Sequence, residues 1–150
     1  MFDVVIRTAR CADHSSLEAL QWRASLANPG DRDSLLANPD AIALPGEHIA
    51  DGHVFVAEYD DVIVGFAAVL PRPDGNAELD ALFVDPTLWK RGLGRLLVAH
   101  CAGVARGRGA RILHVVGNPH AEGFYATCGF RTTGAVETRF GGGLAMQREL

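Results

Sequence analysis

Residues 78–97 read Glu-Leu-Asp-Ala-Leu-Phe-Val-Asp-Pro-Thr-Leu-Trp-Lys-Arg-Gly-Leu-Gly-Arg-Leu-Leu. The run opens as a strand. Side chains alternate with period two, which puts Leu79, Ala81 and Phe83 on one face and Glu78, Asp80, Leu82 and Val84 on the other. Asp85-Pro86 ends it, because proline cannot donate to a ladder and restricts the residue before it. A loop with Lys90, Arg91, Gly92 and Gly94 follows. Leu93, Leu96, Leu97, Cys101 and Val104 then recur at helical spacing, so a helix begins at the glycines.

A strand, a basic loop with glycines and a helix N-terminus together suit a phosphate. The first helical turn has unbonded amides and the positive end of the dipole, and glycine lets a ligand approach the backbone. Charge is partitioned to match. No Asp or Glu occurs from Pro86 to Ala121, yet six of the 14 Lys and Arg do: Lys90, Arg91, Arg95, Arg106, Arg108 and Arg111. A chain of net charge −4 thus keeps one basic stretch centred on this loop. Gly-Lys-Ser/Thr is absent, which excludes the Walker loop. The dinucleotide fingerprint fits poorly too: Gly92-Leu-Gly94-Arg-Leu-Leu97 has no third small residue, and the strand over 111–116 ends without a ribose-binding acid.

The loop resembles the pyrophosphate loop of the GNAT acetyltransferase superfamily, Arg/Gln-x-x-Gly-x-Gly/Ala. Here it is Trp89-Lys90-Arg91-Gly92-Leu93-Gly94, with both glycines matched and tryptophan in place of Arg or Gln. A second block, Asn118-Pro-His-Ala-Glu-Gly-Phe-Tyr125-Ala-Thr-Cys-Gly129-Phe130, is similar to the family's other hallmark: Asn after a strand, then an aromatic-Tyr pair in a short helix closed by Gly-Phe. The resemblance spans nearly the whole chain and implies one domain over residues 1–150. The implied fold is α+β: a central, mostly antiparallel sheet of about seven strands, about four flanking helices, and splayed fourth and fifth strands.

Composition agrees with a single soluble domain: 150 residues, 48% hydrophobic and 21% charged. No apolar run nears the ~20 residues of a membrane span, and the early-charged N-terminus does not read as a signal peptide. Cys11, Cys101 and Cys128 are odd in number and far apart, and the six His show no ligand spacing. The expectation is a reducing, cytoplasmic setting with no disulfide and no metal. A pI near 5.8 argues against nucleic acid as partner.

In chain order, 3–8 reads as a strand. A helix follows, capped by Asp13 or Ser15, with Ser15-x-x-Glu18 as a capping box and Leu17, Leu20 and Ala24 inward. Asn28-Pro-Gly-Asp breaks it before a short helix over 32–37. Residues 38–53 read as a loop with Ile42 and Leu44 packed; Asp31, Asp33, Asp40, Glu47 and Asp51 are either cation-attracting or simply solvated. Two strands, 54–59 and 62–70, turn at Asp60-Asp61, and Pro71–Asn76 leads into the Glu78 strand. Gly107-Arg-Gly109 ends the long helix. A last strand pair, 131–140 and 144–150, turns at Gly141–Gly143.

By resemblance the protein transfers an acetyl group from acetyl-CoA directly to a primary amine, on a small molecule or on a protein; the alternative is a non-catalytic acyl-CoA-binding domain. The resemblance implies that backbone near Leu82, Phe83 and Val84 pairs with the pantetheine arm, that Lys90, Arg91, Gly92, Leu93, Gly94 and Arg95 cradle the pyrophosphate, and that Phe124 and Tyr125 wall the site. It places Asn118 on the pantetheine, although a helix cap before Pro119 suits it equally. Tyr125 becomes the acid for the departing thiolate, or else only a wall. Glu78, then Asp80, about 7 Å apart along one strand face, are the candidate bases, against a structural or solvated role. His114 and His120 are outsiders, and Cys128 reads as a small hydrophobe. Family members are often homodimers.

Overall fold

The computed structural model describes residues 3–28, 32–38, 40, 43–138 and 141–150. Seven strands form one sheet in the order β1-β2-β3-β4-β5-β7-β6. They are β1 (Val5–Thr8), β2 (Val54–Tyr59), β3 (Val62–Pro71), β4 (Ala77–Val84), β5 (Ile112–Gly117), β6 (Arg131–Thr138) and β7 (Gly141–Glu149). Neighbours are antiparallel except β4 and β5. Among the described residues there are five α-helices: α1 (His14–Leu26), α2 (Arg32–Ala37), α3 (Gly46–Ala50), α4 (Leu93–Gly107) and α5 (Glu122–Thr127). The mixed α+β sheet matches the expected class.

The helix beyond the expected four is α3, inside the stretch read as a loop. It is one turn long and buries Ile49, with Leu44 buried just before it. Five residues cannot show a helical period, so the sequence offered no signal. Ile42 and Asp31 lie outside the described residues, while Asp33, Asp40, Glu47 and Asp51 are exposed.

The β2–β3 turn is legible because Asp60 and Asp61 both take left-handed conformations, at φ 51° and 62°. Two positive φ values give the turn whose twist matches a hairpin, and Asp tolerates them. The turn expected at Gly141–Gly143 is corrected: these glycines begin β7, and Gly141, Gly142 and Gly143 pair with Thr138, Glu137 and Val136. A Cβ on Gly143 would sit 3.0 Å from Thr138 Cγ2 and 3.2 Å from Val116 Cγ1, so close strand packing requires glycine there.

The sheet separates two apolar clusters. Beneath α4, Leu97, Val98 and Cys101 meet Val69, Leu79, Leu113 and Met146. On the other side, Leu17 and Leu20 of α1 meet Val56 and Phe66. Strand β4 feeds both, but not by strict alternation. Ala68 pairs with Ala81 and Val69 with Leu79, which leaves Asp80 as an extra residue. Leu79 therefore faces the α4 cluster, whereas Ala81 and Phe83 pack on the α1 cluster. The expected single face for Leu79, Ala81 and Phe83 is corrected by this bulge, and period two no longer sets the direction of Asp80 relative to Glu78.

The proposed capping box at Ser15 does not form. Helix α1 begins with Asp13 in the cap position and no side-chain cap bond. Glu18 instead accepts from the Leu44 amide at 3.0 Å, tying α1 to the segment before α3. Asp13 serves β1: its carboxylate accepts from Arg7 Nη1 and from the Arg10 amide, each at 2.8 Å, and Arg7 also pairs with Glu58 of β2. The Arg7 hydrogen bond holds the Asp13 carboxyl below its ordinary range, opposed in part by burial. A depressed carboxyl stabilises the fold above its unfolded value near pH 4 and loses that contribution as pH falls through the folded value. Asp13→Asn is expected to cost about 2 kcal/mol near neutrality. The difference from wild type should shrink towards zero in strong acid, read by urea unfolding across pH.

Candidate active site

The site begins where two strands part. β4 and β5 pair only at Ala77–Leu113 and Glu78–His114. β4 continues to Val84 and β5 to Gly117 without further pairing. The backbone of β4 is thus open on that side. Asp85 N–H donates to Val64 C=O at 2.9 Å, so Val84 opposite Gly65 is a non-hydrogen-bonded pair of the β3–β4 ladder. The N–H and C=O of Val84, and by the same alternation those of Leu82, point away from β3 into the gap.

A groove of about 490 Å³ fills this gap. Leu82 and Val84 form its strand side, and Trp89, Lys90 and Gly92 its loop side. Leu93, Gly94 and Arg95 contribute the start of α4, and Phe124 with Tyr125 the far wall. The loop turns through Lys90 and Gly92, at φ 66° and 85°, a conformation glycine takes freely and lysine only against a cost. Gly92 offers no side-chain cap, and Leu96 N–H is the one that returns to Gly92 C=O at 3.1 Å. The amides of Leu93, Gly94 and Arg95 therefore lie at the open end of a 15-residue helix, where an anion is favoured. Arg95 Nη2 donates to Thr127 C=O at 3.3 Å and ties α4 to α5.

Tyr125 is 8% exposed. Its ring lies edge-on between Phe124 and Phe130, at centroid distances of 5.1 and 5.5 Å. Burial pushes its phenol up to about 12. Two glycines make room for these rings. A Cβ on Gly117 would stand 3.0 Å from Tyr125 Cε2 and 2.6 Å from Met146 Cε; one on Gly94 would stand 3.0 Å from Phe124 Cζ. Gly117 carries no motif signal, so its part in seating Tyr125 appears only in three dimensions. Gly94 serves ring packing as well as the loop.

The remaining candidates lie around the groove rather than in it. Phe83 faces the α1 side against Phe66, with centroids 5.5 Å apart. Arg91 is exposed on the loop. Asn118 accepts from His120 N–H at 2.9 Å and caps the turn that begins at Pro119, the alternative foreseen for it. Glu78 is half-buried beside His114 in the sheet register, and Asp80 is exposed at the bulge. Burial lowers the His114 pKa, and its Nε2 is buried with no partner among the described residues. His120 is exposed. Cys128 lies half-buried on the α4 cluster, its thiol raised by burial, which suits a packing role. Leu88, Trp89 and Ala121 line the groove without having been singled out for it. Trp89 was legible only as a departure from a pattern. Among the described residues no group of three or more His, Cys, Asp or Glu could hold a metal, and no helix is long and apolar enough to cross a membrane.

An open-edged strand, a basic loop and a helix start surround one groove, with a buried tyrosine as its wall, an arrangement that suits an anion joined to an amide-bearing chain. Residues 16–130 match the acetyltransferase (GNAT) family. Peptidyl-lysine N-acetyltransferase YjaB of Salmonella typhimurium is 31% identical over 133 residues, covering 88% of this chain and 86% of that protein. This chain is an N-acetyltransferase that belongs to the acetyltransferase (GNAT) family. The fold agrees. A GCN5-related N-acetyltransferase from Rhodopseudomonas palustris superposes with a TM-score of 0.78 at 22% identity, covering 100% of this chain and 98% of that one. YncA of Salmonella typhimurium, solved with its cofactor acetyl-CoA, superposes at 0.73 and 25% identity, covering 99% and 94%.

Gly117→Ala tests how the tyrosine is seated. The added methyl is expected to overpack Tyr125 and Met146 and to destabilise by about 2 kcal/mol. Thermal unfolding should then fall by about 5 °C for a domain of this size. An unchanged midpoint would mean that the wall yields freely.

Proposed function

We propose that this protein moves the acetyl group of acetyl-CoA directly to a primary amine, with peptidyl lysine as the first acceptor to test. The observation that carries the reading is the groove: Leu82 and Val84 on the strand edge that β5 leaves, Leu93 to Arg95 at the open helix start and Tyr125 all line one volume. The lysine acceptor rests on likeness to YjaB, whose name specifies it.

The residues present fit the donor. Two cationic side chains, Lys90 and Arg95, border the open helix end, which suits a pyrophosphate. Leu82 and Val84 offer backbone donors and acceptors along a strand edge, which suits an arm carrying amides. Leu82, Leu88, Phe124 and the ring of Tyr125 supply apolar walls for its methylene stretches. When bound, acetyl-CoA supplies an acetyl thioester whose carbonyl carbon can be attacked. The amine nitrogen forms the new C–N bond, the C–S bond breaks, and a proton leaves the nitrogen as sulfur gains one. Glu78 is the first candidate to take the amine proton and Asp80 the second, acting directly or through water. Tyr125, protonated throughout the physiological range, donates to the departing sulfur. The three unpaired cysteines support a reducing, cytoplasmic setting. The exposed edge strand β6 supports a homodimer, which light scattering on the eluting protein reads directly.

Calorimetric titration should give one-to-one, micromolar binding of acetyl-CoA and none of NAD. Release of thiol should then require a lysine peptide. Tyr125→Phe is expected to lower kcat by roughly 100-fold while acetyl-CoA binding stays within about threefold; unchanged turnover removes the donor role. If Glu78→Gln and Asp80→Asn both keep wild-type rates across pH, neither carboxylate is the base and the amine arrives deprotonated.

A further inference from the structure

Trp89 occupies the loop position where the resembled pattern has Arg or Gln. It follows Val84 by five residues, across the turn Pro86–Leu88. That turn is fixed from both ends. Asp85 caps it by accepting from Thr87 N–H at 3.0 Å and Thr87 Oγ1 at 2.8 Å, and Pro86 presets its first residue. The turn brings the indole back over the end of β4, where Trp89 Nε1–H donates to Val84 C=O at 2.9 Å. This is one of the carbonyls that face the gap left by β5. The contact satisfies one lone pair and leaves the second for another donor.

The hydrogen bond fixes the ring by its edge and leaves it as part of the groove lining. Trp89 is 42% exposed, a large share for the bulkiest apolar side chain. Its place lies between Val84, where the strand edge ends, and Lys90 and Gly92, where the phosphate loop begins. A donor running from strand to loop must pass it. We propose that Trp89 is a donor-binding residue: its N–H anchors the ring on Val84, and the ring packs against the amide-bearing arm of the acyl donor between thioester and phosphates. An apolar contact thus stands where the family pattern carries a polar or charged side chain. This rests on the acetyl-CoA reading of the groove.

Three proteins (wild type, Trp89→Phe and Trp89→Gln) are titrated with two ligands. Acetyl-CoA has the arm, and adenosine 3′,5′-bisphosphate lacks it. Trp89→Gln is expected to weaken acetyl-CoA binding about tenfold, the factor that about 1.4 kcal/mol carries. Adenosine bisphosphate binding should stay within about twofold, and KM for acetyl-CoA should rise far more than kcat falls. Trp89→Phe, which keeps a ring without the N–H, should lie closer to wild type than Trp89→Gln. Equal weakening of both ligands would make Trp89 a support of the loop and overturn the inference. So would a Trp89→Phe protein as impaired as Trp89→Gln, because the hydrogen bond would then carry the effect. Unchanged acetyl-CoA binding in Trp89→Gln overturns it with the acetyltransferase reading intact. Failure of the wild type to bind acetyl-CoA overturns the acetyl-CoA reading itself, and the inference with it.

Discussion

The parting of β4 from β5 after two paired residues constrains everything else in this protein. A strand in the middle of a sheet normally has both edges satisfied, and polar backbone left unmet costs about 1–3 kcal/mol per group when buried. β4 keeps one edge open along Leu82 and Val84. The fold answers in two ways. Trp89 meets one carbonyl from the following loop. The rest opens onto a groove and not onto core, where water or a ligand can meet it. The two halves of the sheet must then be held by something other than the ladder, and α4 does this. Leu97, Val98 and Cys101 pack over Leu79 of β4 and Leu113 of β5 in one cluster, with Tyr125 and Met146 on the far half. The helix that bridges the split also directs its N-terminus into it.

The basic stretch from Lys90 to Arg111 divides in the same way. Only Lys90 and Arg95 border the groove. Arg108 is turned to structure: it donates to Gly52 C=O at 3.1 Å and lies 3.2 Å from His53 Nδ1, joining the end of α4 to the approach of β2. Absence of acids from the stretch was therefore a sounder signal than the number of bases. An Asp or Glu beside the open amides of α4 would compete with an anionic ligand, whereas an arginine can serve either role.

What the sequence disclosed follows from how far each signal reaches along the chain. Local signals read well: the apolar runs of 54–59 and 62–70, the Asp60-Asp61 turn, the 3.6 period of α4 and the glycine at its end. The loop before α4 was legible because backbone chemistry confines glycine to few positions, and the 118–130 block through its resemblance to the family pattern. The bulge at Asp80 was not, because it depends on the register of β3 against β4 and leaves no compositional mark. Ser15-x-x-Glu18 shows the opposite failure. The pattern was present, but Leu44, distant in sequence, offered Glu18 an amide and the tertiary bond prevailed. Gly117 and Gly94 belong with the bulge, since their need for glycine comes from rings that other elements bring near.

The burial that shapes the groove also limits what Tyr125 can do with its proton. A phenol pushed up to about 12 is a weaker acid than an ordinary thiol near 8.5. Complete transfer of its proton to an ordinary thiolate is then uphill. The same burial makes its hydrogen bond worth more than in water, because little solvent competes for the charge that develops on sulfur. In the proposed transfer, Tyr125 would therefore serve the departing sulfur by sharing its proton in a hydrogen bond and keeping it. In the proposed direct transfer the amine nitrogen loses a proton as the new C–N bond forms, which balances the proton that ends on sulfur. Deprotonation of the amine and protonation of the thiolate thus become two ends of one proton inventory. In the proposed transfer, Glu78 or Asp80 of β4 and the phenol of Tyr125 on α5 are the groups of this chain offered to share it.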